Sequence, residues 1–323
     1  MKHDNFFKTI ILIESVSSFR KLFALVFCSL ISLTTTAQEL EPRAINNLPV
    51  GTNFAIAAYS YAEGNLLLDP ALPIEDLNSN IHSGLLAYVR SIRFFDLSAK
   101  VDVVIPYILG DWQGSIDDGQ NGFRTQNGFG DVRLRFSFNF LGSKAMDISE
   151  FQNYKPKNVS GLSIQIIVPT GHYDPEELIN VGSNRWAIKP QWGFARNFDK
   201  WIIESYVSIW MFTKNTNFLN GNELSQKPLY AFKVHVIKEL PKKMWLAFNT
   251  GYAIGGKTEL NGVPRDTEIS SARFGLIYAL PFAKKHTLKF AYNSGIRFKR
   301  GPDFNALSLS YQYRWNNKNK QLN

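Results

Sequence analysis

Nine basic residues recur at alternate positions opposite runs of apolar side chains, and they carry the chemistry this sequence offers. Arg133 and Arg135 alternate with Val132, Leu134 and Phe136. Lys100, Lys189, Lys233, Arg273, Lys289, Arg297 and Arg314 repeat the pattern. Acids on the same faces are fewer: Asp96, Asp102 and Glu204. His235 shares its face with Lys233. Side chains at every second position belong to one face of a strand. A face rich in guanidinium and ammonium groups draws anions and repels cations where it borders a water-filled path. The same groups, paired with acids, fill the inside of a barrel and stabilise it. The spacing allows both readings. The candidates for a lumen or solute path are therefore Lys100, Asp102, Arg133, Arg135, Lys189, Glu204, Lys233, His235, Arg273, Lys289, Arg297 and Arg314.

Catalysis finds less support. His82, His172, His235 and His286 follow the N-terminal region. A barrel hydrolase pairs its histidine with a serine, and no serine lies two residues from His235. His172 with Asp174, Glu176 and Glu177 resembles a metal loop, but outer loops are commonly charged. Asp117 and Asp118 lack the spaced oxygen ligands of a calcium site. The one cysteine, Cys28, falls in the first 37 residues, which removes thiolate metal sites and thiol nucleophiles beyond them. No catalytic, metal or cofactor site is expected, and the chain is not expected to be an enzyme. An outer-membrane lipid-modifying activity is the weakest alternative.

Strands must position these faces. From Phe95 onward the period of two is clear, and it closes with Leu307-Ser308-Leu309-Ser310-Tyr311-Gln312-Tyr313-Arg314-Trp315. About twelve candidate strands of roughly 9 to 12 residues follow one another, the length a tilted strand needs to cross a bilayer. An even number brings both ends to one side, and connections that alternate long and short suit two unlike rims. The expected long loops are Ala62 to Asn80, Gly110 to Gly130, Pro169 to Arg185, Asn215 to Lys227, Gly255 to Thr267 and Lys299 to Asn305. Gly142 to Asn158 is long on the short side and is expected to hold a short helix. Pro190 predicts a bulge or kink in its strand. The tryptophans near strand ends read as interfacial girdles rather than as an aromatic path.

The N-terminus reads as a secretory signal. Arg20 and Lys21 precede an apolar run from Leu22 to Leu33, and Thr35-Thr36-Ala37 fits a cleavage site. Residues 1–37 are the expected signal peptide, 38–50 a short N-terminal extension, 51–315 the barrel and 316–323 a polar tail. Residues 1–37 hold four Lys/Arg and two Asp/Glu, so the remainder stays basic. No later run is apolar enough for a spanning helix. A membrane location then requires a closed barrel, since only helices and barrels satisfy their backbone in lipid.

Two segments carry a family resemblance. One is Asn127-Gly128-Phe129-Gly130-Asp131-Val132-Arg133-Leu134-Arg135. The other runs Val168-Pro169-Thr170-Gly171-His172-Tyr173-Asp174, Ile179 to Trp186, then Lys189-Pro190. Together they resemble the family of the MetA pathway of phenol degradation, over about Gly51 to Trp315. The resemblance implies an outer-membrane transporter-like barrel and names no substrate.

The expectation is an all-β protein, a transmembrane antiparallel up-and-down β-barrel of about twelve strands in the bacterial outer membrane. It would take up small anionic or aromatic solutes passively. The alternative is a closed barrel whose extracellular loops bind a ligand or partner. Expected partners are outer-membrane lipids, the barrel assembly machinery during biogenesis and a small-molecule solute, with no nucleic acid.

Overall fold

A computed structural model describes residues 41–66, 75–116, 120–297 and 303–316. The expected leader and nearly all of the expected tail lie outside these residues. In chain order the strands are β1 (Thr52–Asn65), β2 (Glu75–Phe94), β3 (Leu97–Ile116), β4 (Gln120–Phe129), β5 (Val132–Leu141), β6 (Asn158–Val168), β7 (Ala187–Phe198), β8 (Trp201–Phe212), β9 (Asn215–Phe218), β10 (Asn222–Gln226), β11 (Leu229–Glu239), β12 (Trp245–Gly255), β13 (Thr258–Leu260), β14 (Val263–Pro264), β15 (Ile269–Ala283), β16 (His286–Arg297) and β17 (Asp303–Asn316). Twelve of them form a closed antiparallel barrel. β17 pairs with β16 on one side and with β1 on the other, which completes the ring. β4 extends the stave of β5 across Gly130 and Asp131, while β9, β10, β13 and β14 form a separate small sheet.

Alternation explains which side each residue takes. In β5, Leu134, Phe136 and Phe140 point out, and Arg135, Ser137 and Asn139 point in. Outward side chains such as Leu86, Phe232, Leu276 and Leu307 stay exposed around the whole ring. A continuous apolar belt of this kind needs a lipid phase against it. The start of β1, Thr52, and the end of β17, Asn316, pair at one rim, where short turns join β2 to β3, β7 to β8, β11 to β12 and β15 to β16. The long connections, except the one between β5 and β6, lie at the other rim. Barrels with this asymmetry carry their short turns in the periplasm.

Several expected loops are longer strands than the composition suggested. Gly110 to Gly130 forms a hairpin of β3 and β4, paired from Tyr107 with Phe129 to Ile116 with Gln120. β1 and β2 likewise run past the expected start of their connection at Ala62. The segments 215–227 and 255–267 hold the small sheet, whose β13–β14 turn uses Asn261 and Gly262 at φ of 50° and 78°. Asn316, assigned to the tail, ends β17. Pro190 makes no bulge. The β7–β8 register is unshifted from Ile188–Met211 to Gln191–Ser208, and the ladder omits the pairings at Lys189 and Pro190. The missing N–H therefore interrupts the ladder locally without shifting its register.

The connection between β5 and β6 does hold a short helix, α1 (Ile148–Phe151). Its length has a structural reason. Ser143 and Ala145 bond back to Ser98 and Asp96, and Met146 accepts from the Val50 N–H. The loop thus forms a base beneath the N-terminal segment.

At the same rim, Trp315 stacks on Tyr313 with centroids 5.5 Å apart and lies 6.1 Å from Tyr88 across the closure. Trp315→Ala removes two aromatic contacts worth about 1 kcal/mol each. The expected result is a smaller heat-modifiable, folded fraction after refolding into detergent. An unchanged fraction would assign Trp315 no part in closure.

Candidate functional site

Inward side chains divide the lumen into three levels. At the rim of the termini, residues 41–50 lie inside the barrel rather than beside it. The Ile45 side chain is buried against Ala195, Ile202, Tyr206, Ile237, Ala247 and Ala279 from several walls. The backbone of the segment is satisfied by lumen groups. Arg43 N–H donates to Glu204 Oε2 at 2.7 Å, and the Tyr206 hydroxyl donates to the same oxygen at 3.0 Å. Lys100 Nζ donates to the carbonyls of Ala44 and Asn46. Asn139 Nδ2 donates to Ile45 O at 2.7 Å and to Asn47 Oδ1 at 2.9 Å. Arg43 also pairs with Glu239 at 2.5 Å and lies 5.2 Å over Trp245. Lys289 reaches Glu41 at 3.5 Å. A backbone crossing a lumen must find such partners, because its N–H and C=O groups are costly to leave bare.

Above the segment the lumen has two unlike walls. β1, β2 and β3 turn Phe54, Ile56, Leu85, Val89, Val104 and Ile108 inward. The wall from β6 to β15 turns in polar groups: Ser163, Gln165, Gln191, Ser208, Asn249 and Ser271 among its cations. Lys189 Nζ sits 4.7 Å over the Trp210 ring, and Lys233 Nζ 5.5 Å over Tyr206. His235 Nδ1 donates to Asn249 Oδ1 at 2.7 Å.

At the far rim, loops fold inward. Ile179, Phe218 and Leu224 pack on Ile81, Trp112 and Phe304 of the walls. Arg124 pairs with Glu177 at 2.7 Å across the mouth. In the small sheet Lys227 hydrogen-bonds Glu259 and holds its carboxyl below the usual carboxylate range.

The twelve candidates from the sequence therefore separate. Lys100, Glu204 and Lys289 hold the N-terminal segment. Asp102 and Arg135 pair with each other at 2.9 Å. Arg133 is exposed toward the lumen. Lys189, Lys233, His235 and Arg273 line the polar wall. Arg314 instead sits at the rim, donating to Lys284 O at 3.3 Å. Arg297 stands opposite Ser271 in the ladder, and its side chain lies outside the described residues. Asp96 is at a turn, 3.6 Å from Arg93, and not in the lumen. Sequence reasoning missed Arg43, Ile45, Asn139 and Tyr206. The one signal was the polar inner position of Asn139, which had no visible counterpart.

The residues of the family resemblance build a latch. Asp131 accepts from Gly171 N–H at 2.9 Å, Ser183 N–H at 2.9 Å and Ser183 Oγ at 2.6 Å. Gly171 and Gly182 approach so closely that a Cβ on either would lie 2.7 Å from the other's backbone. Asn180 accepts from Asp174 N–H and donates to the carbonyls of Asp174 and Glu177. His172 and its acidic neighbours serve this loop. Among the described residues no three His, Cys, Asp or Glu side chains converge as a metal site.

A family model described as "Putative MetA-pathway of phenol degradation" matches residues 71–313. Among solved structures, an outer membrane channel from Pseudomonas putida F1 superposes with a TM-score of 0.71 at 19% identity, covering 86% of this chain and 100% of its own. The β domain of the Bordetella autotransporter BrkA gives 0.43 at 10% identity, covering 81% and 99%. The NanC porin gives 0.45 at 9% identity, covering 80% and 98%. No curated protein sequence matches the chain.

Proposed function

The chain belongs to the MetA-pathway phenol-degradation family, and from that premise we propose that it is a passive outer-membrane channel for small solutes with an apolar body and an anionic group. The observation that carries this reading is the unlike pair of lumen walls, apolar on β1 to β3 and basic or polar on β6 to β15. An apolar wall replaces water around the body of such a solute. A basic wall lowers the barrier for its charge. The fold shared with a channel of Pseudomonas putida F1 is consistent with it. Outer-membrane lipids around the apolar belt, the assembly machinery during insertion and the solute itself are the partners this reading requires. It assigns no enzymatic step and no nucleic-acid contact.

Arg133 tests the charge of the path. It faces the lumen, whereas Arg135 is neutralised by Asp102. Arg133→Glu should move the permeability ratio toward cations by about two- to threefold, read from the reversal potential across a planar bilayer under a KCl gradient. Arg135→Glu changes more than the lining charge, because it sets a second acid against Asp102. An unchanged reversal potential in Arg133→Glu would sink the anionic part of the proposal.

A second reading has one observation behind it. The N-terminal segment fills one end of the lumen and the outer loops fold into the other. A barrel closed at both ends could act through ligand binding at its outer loops. Persistent lack of conductance after removal of the segment would favour that reading.

A further inference from the structure

Arg273 is 6% exposed on the inner face of β15, and its Nε and Nη1 are buried with no hydrogen-bond partner. Among the described residues no carboxylate pairs with it. A desolvated guanidinium without a counter-charge is costly, and structures that keep one normally supply an anion. Its surroundings are built like a site. Gly251 stands directly opposite Arg273 on β12 and places no side chain there. Diagonally across lies Asn249, 0% exposed, with its Nδ2 unpartnered. Ser271, two residues along the same face, has an unpartnered Oγ. His235 stands opposite Asn249 on β11 and has a free Nε2. Arg273 and Asn249 thus present unpartnered donors from adjacent strands, with the Ser271 hydroxyl two residues further along β15.

The level of this patch matters as much as its chemistry. Ile277 packs in the cluster around the N-terminal segment, and Ile269 belongs to an apolar collar with Leu229, Ala253, Trp210 and Phe212. Each is four residues from Arg273, or roughly 13 Å along the strand. The donors therefore lie between the collar and the segment. A solute arriving from the outer rim meets them before it meets the obstruction.

Resting on the channel reading above, we propose that Arg273 and Asn249 form a carboxylate-binding station in the lumen, which takes an aromatic acid with its ring toward the collar of Trp210 and Phe212. A simpler role for Arg273 would be a structural bond to Asn293 on β16, whose buried Oδ1 is also unpartnered. The two differ in what a ligand feels.

The test uses the full barrel in detergent and equilibrium dialysis with labelled benzoate, against neutral benzamide. Wild type should bind benzoate at least about tenfold more tightly than benzamide. Arg273→Gln should abolish that preference while leaving benzamide unchanged, and Arg273→Lys should restore part of it. Gly251→Val keeps the charge but fills the space, and should weaken benzoate equally, so the test survives a poorly folding Arg273→Gln. Equal binding of benzoate and benzamide by wild type would overturn the station. So would benzoate preference surviving in folded Arg273→Gln or Gly251→Val, or displacement of benzoate by inorganic phosphate as readily as by a second aromatic acid. Liposome swelling with arabinose separates this from the channel reading. Swelling with no benzoate preference removes the station alone, and preference without swelling, even after removal of residues 41–50, removes the channel alone.

Discussion

Deleting residues 41–50 should raise single-channel conductance about tenfold, and this is the largest effect the structure implies. Barrels of about eight strands are filled by their own side chains, and those of about sixteen leave an aqueous channel. Twelve strands fall between, so what occupies the lumen decides whether it conducts. Here the occupant is a segment with Ile45 at its centre and anchors on Lys100, Asn139, Glu204 and Glu239. Its removal leaves Glu204 without the Arg43 N–H and Lys100 without two carbonyls. Water can then reach both, which limits the loss of stability. Planar-bilayer recording of the deletion against the full chain checks the result. Unchanged conductance would mean that the outer loops, not the segment, close the path. A milder variant, Asn139→Ala, unpins the Ile45 and Asn47 contacts, along with a bond to Ser143, and should increase the frequency of open events rather than their size.

Asp131→Ala should destabilise the outer mouth by about 3 kcal/mol, because it removes three hydrogen bonds to one carboxylate. The figure is kept low because the site is only partly buried. Asp131→Asn should be nearly as damaging. Its oxygen can serve Gly171, but its amide then faces the Ser183 N–H donor to donor. The readout is local. Arg185 is 3% exposed, donates to Gln226 at 2.7 Å and covers Phe212. In the native barrel it should resist trypsin, and in Asp131→Ala it should be cut early while the strands persist. Equal protection in both proteins would remove the latch from the account.

The strand faces were legible because lipid and lumen impose opposite demands on neighbouring residues. Val132 to Phe140 shows this directly: the same alternation that suggested a barrel places Arg133 inward and Leu134 outward. The β3–β4 hairpin was not legible. Its glycines and acids match a loop, yet beyond the bilayer a strand needs only a partner, and Tyr107 to Ile116 finds one in β4. Pro190 misled for a related reason, since its effect depends on which ladder bond it would have made. The occupancy of the lumen was hidden for a deeper reason. Residues 41–50 have no periodicity, and their place is set by complementarity to groups brought together from strands far apart in the chain. Lys100 and Glu204 were found as inward charges, but their partner was a backbone, which has no signature in composition.

The lumen segment runs straight into β1, and that continuity has a kinetic consequence. Val50 and Gly51 are already held at the rim, to Met146 and Ser91. If the segment leaves the lumen, it remains tethered within a few residues of its seat. Re-entry is then unimolecular, at an effective concentration on the order of millimolar. The closed fraction should not depend on protein concentration, and a synthetic peptide of the same sequence should compete poorly at micromolar levels. A solute that displaces the segment displaces it only for as long as the solute stays.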